Sequence, residues 1–218
     1  MTLRGQQSPY NNIFLLKFTI LLMISGFIEG YDLGVATINN LYIQDSLFIA
    51  IGPLGAAIGA LISGIFADKW GRRPTVLLSN ILYLLGGMFI VLYEFRYGLI
   101  YIGRFIVGLA IGVTSMNVPI YISEVVPNEL RGRFVAWYTF SVVVGQFAAN
   151  VASLILGRRI GWIYSIGEFF VIIQIIGILL VVPESPRWLA KNGQQAEAEK
   201  VLDQIYKPES VQIYKRSL

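Results

Sequence analysis

The sequence predicts an all-α membrane protein of six transmembrane helices followed by a helical tail, and three observations carry that prediction. Apolar residues make up 56% of the 218 positions and charged residues only 14%, whereas a soluble domain is usually about 45–50% apolar. Six apolar stretches are each long enough, at about 1.5 Å rise per residue, to cross a bilayer core of about 30 Å. Lys and Arg fall almost wholly on one side once those stretches are threaded in order.

The spans are read as Ile13–Thr37, Leu47–Ala67, Val76–Tyr93, Leu99–Ser123, Phe134–Leu156 and Trp162–Val182. A polar tail, residues 1–12, precedes the first. A short loop, Ile38–Ser46, leads to the second, and GIFADKWGRRP, Gly64 to Pro74, turns the second back into the third as an antiparallel hairpin. Gly55 and Gly59 on the second span, with Gly103, Gly108 and Gly112 on the fourth, offer small faces on which helix backbones approach closely. Residues 13–182 thus form the membrane unit. Beyond Val182 the composition turns polar, and residues 183–218 read as a linker with an amphipathic helix from about Gln194 to Tyr206, ended by Pro208.

With the N-terminus in the cytoplasm, Arg4, Lys17, Lys69, Arg72, Arg73, Arg131, Arg133, Arg187, Lys191, Lys200, Lys207, Lys215 and Arg216 lie inside, against Arg96, Arg158 and Arg159 outside. That imbalance puts both ends in the cytoplasm, with the plasma membrane the expected location. The net charge of +4 then reflects topology and contact with anionic lipid. No basic patch interleaved with exposed aromatics suggests nucleic acid. The chain has no Cys and no His, which excludes thiol chemistry, a Ser/His/Asp triad and an HExxH metal site. No metal and no cofactor are expected.

Charges inside the spans are the strongest functional signal. Glu29 and Asp32 lie on one face of the first span, Arg104 in the fourth and Glu168 in the sixth. All four fall roughly 7 to 12 Å below the outer boundary by the helix rise. An intramembrane acid costs about 2.5–3.5 kcal/mol on insertion scales, so one cluster is favoured over separate penalties. Such a cluster is either a static ion pair that holds three helices together or a carboxylate that takes up and releases a proton. Gln146 and Asn150, one turn apart on the fifth span, offer amides to a neutral polyhydroxy solute, or else hydrogen-bond between helices. An intramembrane aspartyl protease also uses a Tyr-Asp pair, but no second Asp in a GxGD setting accompanies Tyr31 and Asp32.

Three motifs mark the cytoplasmic side. Ala67 to Arg73 reads ADKWGRR, with Asp68, Gly71, Arg72 and Arg73 placed to form a charge latch to a neighbouring helix. VPIYISEVVPNELRGR closes the fourth span with Glu124 and opens the fifth with Arg131 and Arg133. PESPRW sets Glu184 and Arg187 just past the sixth. On these motifs, and on the spacing from Gly108 and Gly112 through Tyr121 and Glu124 to Arg131, the chain resembles the sugar porter branch of the major facilitator superfamily over nearly its whole length.

The resemblance implies the N-terminal half of a major facilitator fold. It also implies alternating access, with cytoplasmic charge latches closing the outward-facing state. In proton-coupled members the acid of the first-helix GYD motif is the proton acceptor and the fourth-helix Arg its partner, roles that fall here on Asp32 and Arg104. Gln146 falls at a sugar-binding position. The implied partners are a neutral sugar or polyol, a proton and membrane lipid. Glu29 and Glu168 depart from the pattern, as does the short loop Ile38–Ser46. A three-plus-three inverted repeat is not visible in the residues. The chain matches only the first half of such a carrier, so three expectations stand: a missing C-terminal half, pairing with a second copy of itself, or a non-transporting sensor or regulatory subunit.

Overall fold

The computed structural model describes residues 9–43, 45–92, 96, 98–157 and 159–207, with the side chains of 39–43 left aside. Arg4, Tyr93, Arg158, Pro208, Lys215 and Arg216 lie outside the described residues. Among those described there are eight helices: α1 (Asn12–Ile43), α2 (Ser46–Trp70), α3 (Arg72–Val91), α4 (Leu99–Val125), α5 (Arg131–Leu156), α6 (Ile160–Val181), α7 (Pro186–Lys191) and α8 (Gln195–Ile205). The first six are long and apolar enough to cross a membrane.

Several boundaries differ from the sequence expectation for local reasons. No Gly or Pro stands between Gly34 and Asp45, so α1 runs on to Ile43 and most of the expected Ile38–Ser46 loop is helical. The carboxylate of Asp45 then caps α2, accepting the Leu47 N–H at 2.9 Å. Between α2 and α3 the connection is Gly71 alone, at φ +101°. Only glycine takes that conformation without strain. Pro74 is tolerated because it lies in the first turn of α3, where no backbone donor is lost to the helix. Pro53 in α2 and Pro119 in α4 sit mid-helix, as membrane helices allow. The short α7 was not expected; the Ser185 hydroxyl caps it by accepting the Trp188 N–H, and Pro186 fills its first position.

The expected α2–α3 hairpin is open. Both helices turn aside from each other to flank α4, while α5 and α6 flank α1. Accordingly α4 and α1 are the most buried of the six. Exchanging α1–α3 for α4–α6 leaves this pattern of neighbours unchanged: α2 on α4 matches α5 on α1, and α3 on α4 matches α6 on α1. The repeat invisible in the residues is thus present in the packing.

Small residues make both central seams. A Cβ added to Gly108 would collide with the carbonyl oxygen of Gly52, one on Gly112 with that of Ala56, and one on Gly59 with that of Leu109. Across the other seam Gly30 faces the backbone of Val142, and Gly145 that of Phe27. Without a hydrophobic driving force inside lipid, such backbone proximity supplies the dispersion contact that associates helices. Two apolar cores result. One, around Leu15, Phe18, Tyr121, Ile178 and Ile205, binds α8 to the basic end of the bundle. The other, around Tyr31, Phe48, Tyr83, Ile100 and Ile163, fills the opposite end.

The seam gives a stability prediction. Gly108→Ala should lower the stability of the purified protein by about 1–3 kcal/mol, read as a fall in melting temperature in detergent. Gly64→Ala, where a Cβ meets nothing within 4 Å, should be neutral or stabilising. Equal behaviour of the two variants would contradict the packing account.

Candidate functional site

Asp32 and Arg104 face each other across α1 and α4. An Nη1 hydrogen of Arg104 is donated to Asp32 Oδ2 at 3.0 Å, and the side chains are only 6% and 8% exposed. The guanidinium lies over the Phe48 ring, 5.4 Å from its centroid, a cation–π contact that partly replaces lost hydration. Gly52 makes room for it: a Cβ there would stand 2.8 Å from Arg104 Nη2. On the α6 side Tyr164 is the second neighbour of Arg104.

Glu168 joins this group at one remove. Its Oε1 packs against Gly87 of α3, where a Cβ would overlap it, and its Oε2 has no hydrogen-bond partner among the described residues. With Asp32, Tyr83 and Tyr164 it lines a small cavity of about 20 Å³.

Glu29 does not join it, a departure from the single cluster expected. Three residues along a helix turn about 300°, so Glu29 and Asp32 point about 60° apart. Glu29 instead reaches the seam between α4 and α5, where it accepts the Ser115 hydroxyl at 2.6 Å and the Tyr138 hydroxyl at 2.5 Å. Sequence reasoning missed both partners. Tyr138 was legible only as the next residue on the buried face of α5, in step with Phe134, Ser141 and Gly145.

A groove of about 410 Å³ opens between α1, α2 and α4, walled by Leu33, Thr37, Phe48, Pro53 and Ile111, and reaches Arg104. Apart from Arg104 and the Thr37 hydroxyl, which donates to the Leu33 carbonyl of its own helix at 2.9 Å, the lining is apolar. Gln146 and Asn150 do not line it. Gln146 is half-buried on α5 with its backbone against Gly34. Asn150 is exposed and donates its amide to the Gln146 carbonyl of its own helix at 2.8 Å, so that amide N–H is spent within α5 and not on another helix.

At the basic end the motifs converge on Arg72. Its Nε and Nη2 donate to the two oxygens of Glu124, each at 2.9 Å, and its Nη1 to Asp68 at 3.0 Å and to the Ala67 carbonyl at 2.6 Å. This bidentate fork is the strong geometry of an Arg–carboxylate pair. Glu184 fills the space over Gly71 and accepts the backbone N–H groups of Arg72, Arg73 and Ser185, the first at 2.9 Å. Arg73 donates to the Leu179 carbonyl at 2.9 Å. Tyr121 donates to the Pro183 carbonyl, and Trp188 Nε1 to that of Asp68 at 2.9 Å. Asp68, Gly71, Arg72, Arg73, Glu124 and Glu184 are thus brought together.

Arg131 and Arg187 stay outside this network. Because Arg72 occupies both oxygens of Glu124, Arg131 turns its Nε to the Val126 carbonyl at 3.2 Å. Arg187 is exposed and makes no ion pair among the described residues.

Comparison with known proteins places this arrangement. The model of a family described as "Sugar (and other) transporter" matches residues 18–216. The chain belongs to the sugar transporter family. Members of this family are transporters and not enzymes. Among sugar transporter relatives, a probable inositol transporter 2 of Arabidopsis thaliana is 33% identical over 224 residues, covering 96% of this chain and 38% of that protein. A proton myo-inositol cotransporter of Homo sapiens is 35% identical over 215 residues, covering 93% of this chain and 33% of that one. In fold, the chain is similar to the xylose transporter XylE from E. coli in a partially occluded inward open conformation. The TM-score is 0.84 at 22% identity, over 94% of this chain and 58% of that one. A structure of the same major facilitator superfamily proton:xylose symporter with a bound bromo-deoxyglucose gives 0.86 over 95% and 53%. The chain therefore has the fold of one half of such a carrier, and it spans between a third and three fifths of these relatives.

Burial pushes the Glu184 carboxyl above its ordinary 4.5, opposed by the three backbone N–H groups and by Arg72. A raised folded-state value means that the protonated form is favoured by folding. Its stabilising contribution is complete below 4.5 and is lost as pH rises through the raised value. The melting temperature of Glu184→Gln minus that of the wild type should therefore rise between pH 4 and pH 7. A difference that stays flat or falls over that range would contradict the assignment.

Proposed function

We propose that this chain is the N-terminal half of a carrier that moves a sugar or polyol across the plasma membrane by alternating access, coupled to a proton at Asp32. The observation that carries the reading is the buried Asp32–Arg104 pair, with its arginine reached from the groove between α1, α2 and α4. In a low-dielectric site neither ion is stable alone, so protonating Asp32 frees Arg104 and changes what α1 and α4 hold in common. Relatives described as proton myo-inositol cotransporters support both the polyol and the proton.

The remaining groups take roles around that pair. Glu168 and Glu29 are further proton-responsive acids, the first sharing a cavity with Asp32 and the second held by Ser115 and Tyr138. Gln146, with Asn150 beside it, offers amides to a neutral solute, whose other contacts come from a second six-helix half or a second copy of this chain. The basic end faces the cytoplasm. There the Arg72–Glu124–Asp68 network, braced by Glu184, is the latch that one access state makes and the other breaks. Arg131 and Arg187 join that gate across the interface with the second half.

In the carrier that contains this chain, Asp32→Asn should abolish accumulation of solute against its gradient while leaving exchange of solute for solute largely intact. The check is uptake and counterflow of radiolabelled myo-inositol and hexose in proteoliposomes with and without a pH gradient. Accumulation that persists in the variant would remove Asp32 as the coupling acid.

A further inference from the structure

We propose that the pocket enclosed by the α4–α5 connection, α7 and α8 binds a phosphate monoester. The pocket measures about 520 Å³, the size of a small-molecule site, and its charges do not balance within the protein. Arg131, Arg187 and Lys191 line it together with Glu124 and Glu129. Glu124 gives its two oxygens to Arg72, which does not line the pocket, while Glu129 accepts the Tyr10 hydroxyl at 2.8 Å, a neutral partner that leaves its negative charge acting on Arg131. Three cations thus share one carboxylate that no other cation takes, and the pocket keeps a positive excess. Arg131 spends only its Nε, on the Val126 carbonyl, and it faces Arg187 closely enough for the two guanidinium groups to repel. Neither Arg187 nor Lys191 makes an ion pair among the described residues.

Two guanidinium forks and an ammonium on the rim of one cavity match a dianion with three terminal oxygens better than a single carboxylate. The other wall suits an organic body, since Leu202 of α8, Tyr206 just past its end and Ala190 of α7 present carbon surface there. That wall is fixed in place. Tyr10 pairs with Tyr206 through an isolated β-bridge and packs its ring edge-on against it at 5.6 Å, and Lys207 N–H donates to the Pro9 carbonyl at 2.9 Å. A bound phosphate would tie α5 to α7 at the basic end, where the monoester could be a soluble metabolite or a phospholipid headgroup. The phosphate would take Arg131 and Arg187 in the access state in which their gate contacts are broken, and its binding to this chain requires neither transport nor a second half.

The test uses the full chain in nanodiscs of phosphatidylcholine, titrated with glycerol 3-phosphate and, as control, glycerol. A parallel set of nanodiscs contains phosphatidic acid, whose headgroup is itself a phosphate monoester. The protein should bind glycerol 3-phosphate saturably, or gain thermal stability in phosphatidic acid, and should ignore glycerol. The doubly substituted Arg187→Ala, Lys191→Ala protein should lose either effect by about tenfold or more, the scale of one charge-assisted hydrogen bond, and Arg187→Lys should recover part. Both side chains are exposed, so the variants should keep the unliganded melting temperature, which is measured alongside. Binding of the soluble ester assigns the site to a metabolite, and a response to phosphatidic acid alone assigns it to lipid. No saturable response to either, or undiminished binding by the double variant, overturns the proposal.

Discussion

A charge pair buried between two apolar helices is the constraint around which the bundle is arranged. Asp32 and Arg104 have side chains less than a tenth exposed, and neither tolerates that position without the other. Bringing them together fixes the rotation of α1 and α4 and, with Tyr164 and Phe48, draws in α6 and α2. Small residues let the helices around the pair approach it. Gly52 is the clearest case, because a side chain there would strike the guanidinium itself.

The two ends of the molecule solve opposite problems. Near Asp32 the protein leaves polar atoms unpartnered: Arg104 Nε, Tyr83 OH and Glu168 Oε2 all lack a hydrogen bond among the described residues. At the latch on the basic end the central donor is fully matched, with Arg72 spending all three of its side-chain nitrogens. Buried unpaired groups are costly and are retained where a site must change its partners. A saturated network has a different use, since it holds one arrangement firmly until several bonds are lost together. That contrast fits a proton site at one end and a latch at the other.

Much of this was legible in the residues, and the exceptions have physical causes. Apolar length gave six spans because a bilayer sets a fixed minimum, and the small residues marked faces of close helix approach without saying which helix would meet which, Gly108 meeting α2 and Gly103 meeting α3. The charged motifs placed Asp68, Arg72, Glu124 and Glu184 at one end correctly, but could not say which acid Arg72 would choose. Arg131 was expected in that group and is excluded because Glu124 is already occupied. Glu29 was misplaced since depth along a helix says nothing of direction around it. The internal repeat escaped notice because it lives in which helix packs on which, a property that many different side chains satisfy. Where α1 ends was misjudged by reading polarity as a loop, although nothing in ATINNLYI breaks a helix.

The account stands on Asp32 and Arg104 acting as one coupled unit, and a double-mutant cycle on unfolding free energy measures that directly. Asp32→Asn and Arg104→Gln should each cost about 3–5 kcal/mol, as the loss of one partner from a buried pair does. The double variant should cost well under the sum, leaving a coupling energy of about 2 kcal/mol or more. Additive losses, with coupling within about 0.5 kcal/mol of zero, would mean that the two charges do not depend on each other and would contradict the account.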